Sequence, residues 1–232
     1  MSTKYLRPST VLGVCSLSAL AIAAGCSGAG DETLGTARSA DVISSDLVIS
    51  QVYGGGQGNG ASYKYDFVEL FNRGAQPVEL GDKTVQYASA TGKFASNNIA
   101  LPNFTLAPGK YFLIRLAGAD SGDGAPLPAA DHTASQAVSQ TAGKVALVLS
   151  ANLLTCGEAA SQCTNGGWID FVGFGTTASQ AEGTKTPSLS VTTAAVRKNG
   201  GCTDTGNNLD DFEITAATPR NSASTANVCS CP

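Results

Sequence analysis

The sequence predicts an all-β protein, an antiparallel β-sandwich, from three observations. Apolar and polar residues alternate at period two in a series of short segments. Turn residues separate those segments, with 27 glycines in a chain of which only 14% is charged, a balance that favours strands and turns over solvated helices. No segment carries a sustained apolar stripe at helical spacing.

The elements follow in order. "DLVISQVY" (46–53) is apolar at nearly every position, as in a central strand. A glycine-rich loop leads from it into "DFVELF" (66–71). "QPVEL" (76–80) and "KTVQYAS" (83–89) meet at a Gly81-Asp82 turn. "NFTLAPGKYFLIRL" (103–116) carries Pro108-Gly109, a type II turn signal, before a strong strand. "GKVALVLS" (143–150), "WIDFVGF" (168–174) and the weaker "AAVRK" (194–198) complete the set. Short strands with frequent Gly and Pro turns point to a sandwich. The longest loop, 117–142, is made of small and polar residues.

The ends differ from the middle. Lys4 and Arg7 precede the apolar run "VLGVCSLSALAIAA", too short for a good membrane span. It ends in "AAGC", which resembles a bacterial lipobox with Ala23 in place of leucine, so Cys26 is the expected lipidation site after a signal peptide at 1–25. Several acyl chains on Cys26 would hold the protein to a membrane far more firmly than one. Ser27 follows the cysteine, and by resemblance to enterobacterial lipoproteins the absence of aspartate there implies the outer membrane of a Gram-negative bacterium. Residues 26–45 read as the lipidated cysteine and a flexible tether, 46–222 as one sandwich domain, and 223–232 as a cysteine-containing tail.

Without residues 1–25 the chain keeps 12 basic and 18 acidic side chains, a formal charge of −6. No basic run stands out, which argues against a strong nucleic-acid footprint. Export implies oxidising conditions, so Cys156, Cys163, Cys202, Cys229 and Cys231 are disulfide candidates. Cys156 and Cys163 are close enough to staple one loop, and Cys202 can pair with Cys229 or Cys231. Zinc is disfavoured, because His132 is the only histidine and the spacing is not finger-like.

The glycine loop "GGGQGNGASYKY" matches the G-x-G-x-x-G/A spacing at Gly56, Gly58 and Ala61. Dinucleotide loops work because they open a helix whose amides bind pyrophosphate. Here a strand follows, and no G-K-S/T ends the loop, so phosphate binding is set aside. A long, mobile connector is expected, with glycine used at positive φ. Nucleophilic catalysis needs a base beside a serine, but His132 sits in a loop of small residues and no G-x-S-x-G elbow occurs.

Asp204, Asn207, Asn208, Asp210 and Asp211 form the best metal candidate, with oxygen ligands of the kind calcium takes. The EF-hand order is not met, and an Asx-rich turn explains the same residues. No other cofactor is indicated. Glu69 lies between Phe67 and Phe71 on one strand face; if buried, it needs a cation, and Arg197 or Arg115 is the expected partner in a structural ion pair.

Several blocks together resemble one family. "LVISQVYGGGQGNGASYKYDFVELFNRGAQPVEL", "VQYASATG", "GKVALV", "DFVGFG" and "AAVRKNGGCTDTGNNLDDF…PRNS" are similar, in order, to a bacterial lamin-tail domain over about residues 45–222. The chain departs from that pattern at Lys83, Ala181 and Gly206, where tryptophan, cysteine and aspartate are common. The resemblance implies an immunoglobulin-like β-sandwich. It also implies a non-catalytic interaction module, as in nuclear lamins, although bacterial examples are often attached to nucleases or phosphatases. About ten residues follow "PRNS", so no attached enzyme is expected.

The expected function is a lipid-anchored, non-catalytic interaction or scaffolding module of the cell envelope. Its partner would be an envelope protein, a polysaccharide or extracellular DNA. The alternatives are an accessory or binding subunit of an extracellular nuclease or phosphatase, and a structural envelope spacer. Loops 54–65 and 117–142 are the candidate recognition surface, with Tyr53, Tyr63, Lys64 and Tyr65 as contact residues.

Overall fold

Strand β1 (Leu47–Tyr53) is buried at all seven positions, which requires cover on both of its faces. A computed structural model shows how this is met; it describes residues 46–164 and 167–230. The signal segment, Cys26, the tether and Cys231 lie outside the described residues.

On one side β1 pairs with β2 (Tyr65–Asn72), and on the other with β11 (Thr193–Arg197), both antiparallel. β7 (Tyr111–Gly118) extends the sheet beyond β2, and the two-residue β8 (His132–Thr133) adds a parallel edge. β12 (Phe212–Ala216) closes the other edge, giving the order β12-β11-β1-β2-β7-β8. The second sheet runs β10 (Asp170–Phe174), β9 (Gly143–Val148), β4 (Thr84–Ser89), β5 (Asn98–Ala100). A small ribbon joins β3 (Val78–Glu79) to β6 (Thr105–Leu106).

The main core lies between the two larger sheets. Leu47, Ile49, Val52, Val68, Leu70, Phe112 and Ile114 from the first meet Val85, Tyr87, Val145, Leu147 and Val172 from the second. Ile49 and Val52 are three residues apart, yet both enter this core. The β1–β2 register shifts between Ile49 and Gln51, and the inserted residue at this bulge resets the alternation.

The outer face of the six-stranded sheet is also covered. Tyr53, Phe67, Leu113 and Val196 form one apolar cluster there, and Val48, Phe71 and Tyr111 another. The cover is the C-terminal segment. Gln51 exchanges two side-chain hydrogen bonds with the Thr218 backbone, Asn227 N–H donates to Gly109 O at 2.8 Å, and Cys202 is bonded to Cys229. Residues 223–230, expected as a tail, therefore contribute to the packed domain.

The segment 103–116 breaks at Pro108-Gly109 into β6 and β7, and Gly109 takes φ 70, as a type II turn requires. Three short strands were not expected: β5, β8, and β12, whose "FEITA" lies against the acidic cluster.

Candidate functional site

The loop from β1 to β2 and the loop from β7 to β8 are fastened to each other. Lys64 N–H donates to Ala125 O, Ala125 N–H to Ser62 O, and Ala119 N–H to Lys64 O. Gly60 N–H donates to Asp123 Oδ2, and the Lys64 ammonium to the Asp120 carbonyl. Asp66 braces the first loop from beneath: its Oδ1 accepts from Gly56 N–H at 2.8 Å, and its Oδ2 accepts at 3.0 Å from Val138 N–H in the segment between β8 and β9. Burial pushes the Asp66 carboxyl up to about 6, against those two amide bonds.

This corrects the expectation of a mobile connector. Gly54, Gly55 and Gly56 are buried. A Cβ at Gly54 would lie 2.2 Å from Ser139 O, and one at Gly56 would lie 2.2 Å from Tyr65 C. Among the loop's glycines only Gly60 has positive φ. Close approach of backbones, rather than left-handed geometry, is what most of these glycines permit. The amide of Gly56, which a phosphate would need, is held by Asp66.

The tyrosines divide. Tyr53 is fully buried, stacked on Phe67 at 5.4 Å with its hydroxyl donating to Val191 O, so it is core rather than contact surface. Tyr63 is half-buried, edge-on to both Tyr53 and Phe67. Tyr65 opens onto a cleft of about 300 Å³ with Arg115, Asp120, Pro126, Leu127 and Pro128. Its hydroxyl donates to Asp120 Oδ1 at 2.8 Å, a bond that pushes the phenol pKa up. The Arg115 Cζ lies 4.6 Å from the Tyr65 ring centroid. Arg115 stands opposite Phe67 in the β2–β7 register, and its guanidinium makes no hydrogen bond or ion pair among the described residues.

The expected pair of Glu69 with Arg197 or Arg115 is replaced by two separate pairs. Glu69 is fully buried on the outer face and meets Arg220 of the covering segment: Nη2 donates to Oε1 at 2.7 Å, and the Arg220 N–H to Oε2 at 2.6 Å. Ser50 and Gln51 side chains donate to the same carboxylate. Burial pushes the Glu69 carboxyl up, and Arg220 opposes it. Arg197 instead donates to Asp170 Oδ2 at 2.6 Å and to Ile49 O at 2.9 Å, while Ile49 N–H donates to Asp170 Oδ2. The β1 bulge changes the backbone register next to Ile49, and these two side chains take up its N–H and C=O. Burial opposes the Arg197 charge, and the carboxylates of Asp170 and Asp204 more than restore it, so its pKa is raised.

The five residues offered for calcium have other partners. Asp204 accepts from Arg73 and Arg197. Asn207 caps the single turn Asn208–Asp211, accepting from Leu209 N–H, and also accepts from Thr184 N–H. Asn208 bridges Gly173 N–H and Phe171 O in the second sheet. Asp210 accepts from Asn207, and Asp211 from Thr205. The side chains cap and clamp the polypeptide, as short polar residues in turns do. The acidic oxygens that converge belong to a different set, Asp170, Glu182 and Asp204, within 4.8 Å of one another. Arg197 already lies on two of them. Burial next to Asp170 pushes the Glu182 carboxyl up to about 9, so a proton neutralises the third.

Cys156 is bonded to Cys163, and Cys202 to Cys229. His132 lies on β8, and its neighbour Asp131 accepts from Leu113 N–H and from Ser222, so it does not orient an imidazole. Sequence reasoning missed Asp120, Asp170, Glu182 and Arg220. Arg220 was visible only as part of the "PRNS" block.

Two packed sheets of mainly antiparallel strands define a β-sandwich of the immunoglobulin-like class. The lamin tail domain family model matches residues 43–176, more than half of the chain, and the chain belongs to that family. A solved DUF4876 family protein from Bacteroides thetaiotaomicron VPI-5482 is similar, with a TM-score of 0.47 and 12% identity over 80% of this chain and 75% of that one. No curated protein matches the chain.

Proposed function

We propose that this lamin tail domain protein is an exported, lipid-anchored module of the cell envelope that binds a partner without transforming it. The observation that carries this reading is the fastening of the 54–64 and 119–131 loops into one surface, with the cleft of Tyr65, Arg115 and Asp120 set into it. Binding sites gather on loops held by a rigid scaffold, and these loops are held at both ends. The "AAGC" sequence at Cys26 supports a lipid anchor, and Ser27 in place of aspartate after it supports the outer membrane.

The test has two arms. A photo-crosslinking residue at Tyr63 is expected to capture an envelope component in living cells, while one at Leu153, an exposed residue outside the loop cluster, is not. Equal capture from both positions, or from neither, rejects the surface. Separately, Cys26→Ala is expected to move the protein from the membrane to the soluble fraction.

A further inference from the structure

We propose that the cleft between Tyr65, Arg115 and Asp120 binds a hexuronic acid residue of an anionic polysaccharide. This rests on the reading of the fastened loops as the binding surface.

The first argument is Arg115. A guanidinium is always charged and presents a planar fork of donors suited to carboxylates. In this protein Arg197 and Arg220 each meet a carboxylate, at 2.6 and 2.7 Å. Arg115 meets none among the described residues, and its Cζ lies over the Tyr65 ring at the cleft.

The same sheet holds a filled version of this arrangement. Arg220 Cζ lies 3.7 Å from the Tyr111 ring centroid, and Glu69 supplies its anion. Arg115 over Tyr65 repeats the cation and the ring, but the acid in the cleft, Asp120, is bonded to the Tyr65 hydroxyl and makes no ion pair with Arg115. The group missing from the Arg115 fork is a carboxylate in contact with it, brought by a ligand.

The other walls narrow the ligand. Asp120 uses Oδ1 to accept from Tyr65, and Oδ2 has no hydrogen-bond donor among the described residues. A carboxylate acceptor beside the arginine favours a ligand with hydroxyl donors close to its own carboxylate, and repels a second negative charge. Pro126, Leu127 and Pro128 give an apolar wall against which the C–H face of a pyranose can lie. About 300 Å³ is at the small end of ligand sites, fitting for one sugar of a chain. An acidic peptide lacks the adjacent hydroxyls. Dense phosphate charge meets a chain with 12 basic against 18 acidic residues beyond position 25.

The purified full-length protein is titrated by calorimetry with trimers of galacturonate, glucuronate and mannuronate, with their carboxyl-reduced neutral counterparts, and with a hexa-aspartate peptide. Saturable binding of at least one uronate trimer is expected, at least tenfold weaker in Arg115→Gln and in Asp120→Asn. The neutral sugars and the peptide are expected not to bind. Unfolding midpoints of both variants are measured to show that the fold is kept. The proposal is overturned if no uronate binds, if Arg115→Gln binds as well as the parent, or if a neutral sugar binds equally. Arg115-dependent binding of the peptide would overturn it in favour of a protein partner. If the uronates fail while Tyr63 still captures an envelope component, only this proposal falls; failure of both removes the binding surface itself.

Discussion

Arg220 and Arg115 each lie over a tyrosine of the six-stranded sheet, 3.7 Å from the Tyr111 centroid and 4.6 Å from the Tyr65 centroid. Arg220 comes from the covering C-terminal segment and meets Glu69, whose side chain is 0% exposed. Arg115 belongs to the sheet itself and faces a cleft at the fastened loops. One arginine closes the outer face; the other makes no ion pair among the described residues, the carboxylate in its cleft, Asp120, being bonded to Tyr65. The difference teaches that residue type and ring contact do not assign a role: the counter-charge does.

The sharpest way to break this comparison is to remove Arg220. Arg220→Met leaves a buried carboxylate without its cation, and is expected to cost about 3–5 kcal/mol in urea unfolding. The pair, rather than the loss of side-chain packing, is isolated by a double-mutant cycle with Glu69→Met, in which the two changes together cost less than their sum. Strict additivity would show that Glu69 does not depend on Arg220.

The disulfide from Cys202 to Cys229 holds the same covering segment and spans 27 residues. Cys202→Ser is expected to lower stability by about 3–4 kcal/mol through the freed unfolded chain. The bridge from Cys156 to Cys163 spans only seven residues, so Cys163→Ser should cost less. Equal losses would mean that the C-terminal cover is not organised by its bridge.

The sandwich was legible because period-two alternation and the Pro108-Gly109 turn are local signals. The partner of Glu69 was not, because Arg220 lies 151 residues away, in a segment with no strand pattern. The bulge at β1 was hidden as well: "LVIS" and "SQVY" read as one uninterrupted strand, so nothing announced that Ile49 would need Asp170 and Arg197. β12 was hidden because Asp210 and Asp211, directly before it, read as ligands. At the candidate site the two loops were legible as long and strand-linked, but their fastening depends on backbone groups that sequence does not position.

A third region tests burial of an acid without an arginine of its own. Glu182 accepts from Trp168 Nε1–H at 3.0 Å beside Asp170, and its carboxyl is pushed up to about 9. A folded pKa above the ordinary 4.5 gives stability that is complete below that value and lost as pH rises towards 9. Glu182→Gln keeps the acceptor and removes the titration. Its unfolding free energy is expected to exceed the parent's by a margin that grows steadily from pH 5 to pH 9. A constant margin would reject the protonated carboxyl. Millimolar calcium that raised the parent's midpoint at pH 9 but not the variant's would place a cation, not a proton, among these carboxylates.

The smallest effect is expected where the comparison began. Arg115→Gln removes a guanidinium with no hydrogen bond or ion pair among the described residues, and loses only its contact with Tyr65. Contacts of that kind at half-exposed positions contribute about 0.5–1 kcal/mol. Its unfolding midpoint should therefore lie close to the parent's, far from that of Arg220→Met. A loss comparable to Arg220→Met would mean that Arg115 holds the fold, and that the cleft is a structural joint. A near-silent change in stability, beside a loss of binding, separates an arginine kept for a ligand from one kept for the sheet.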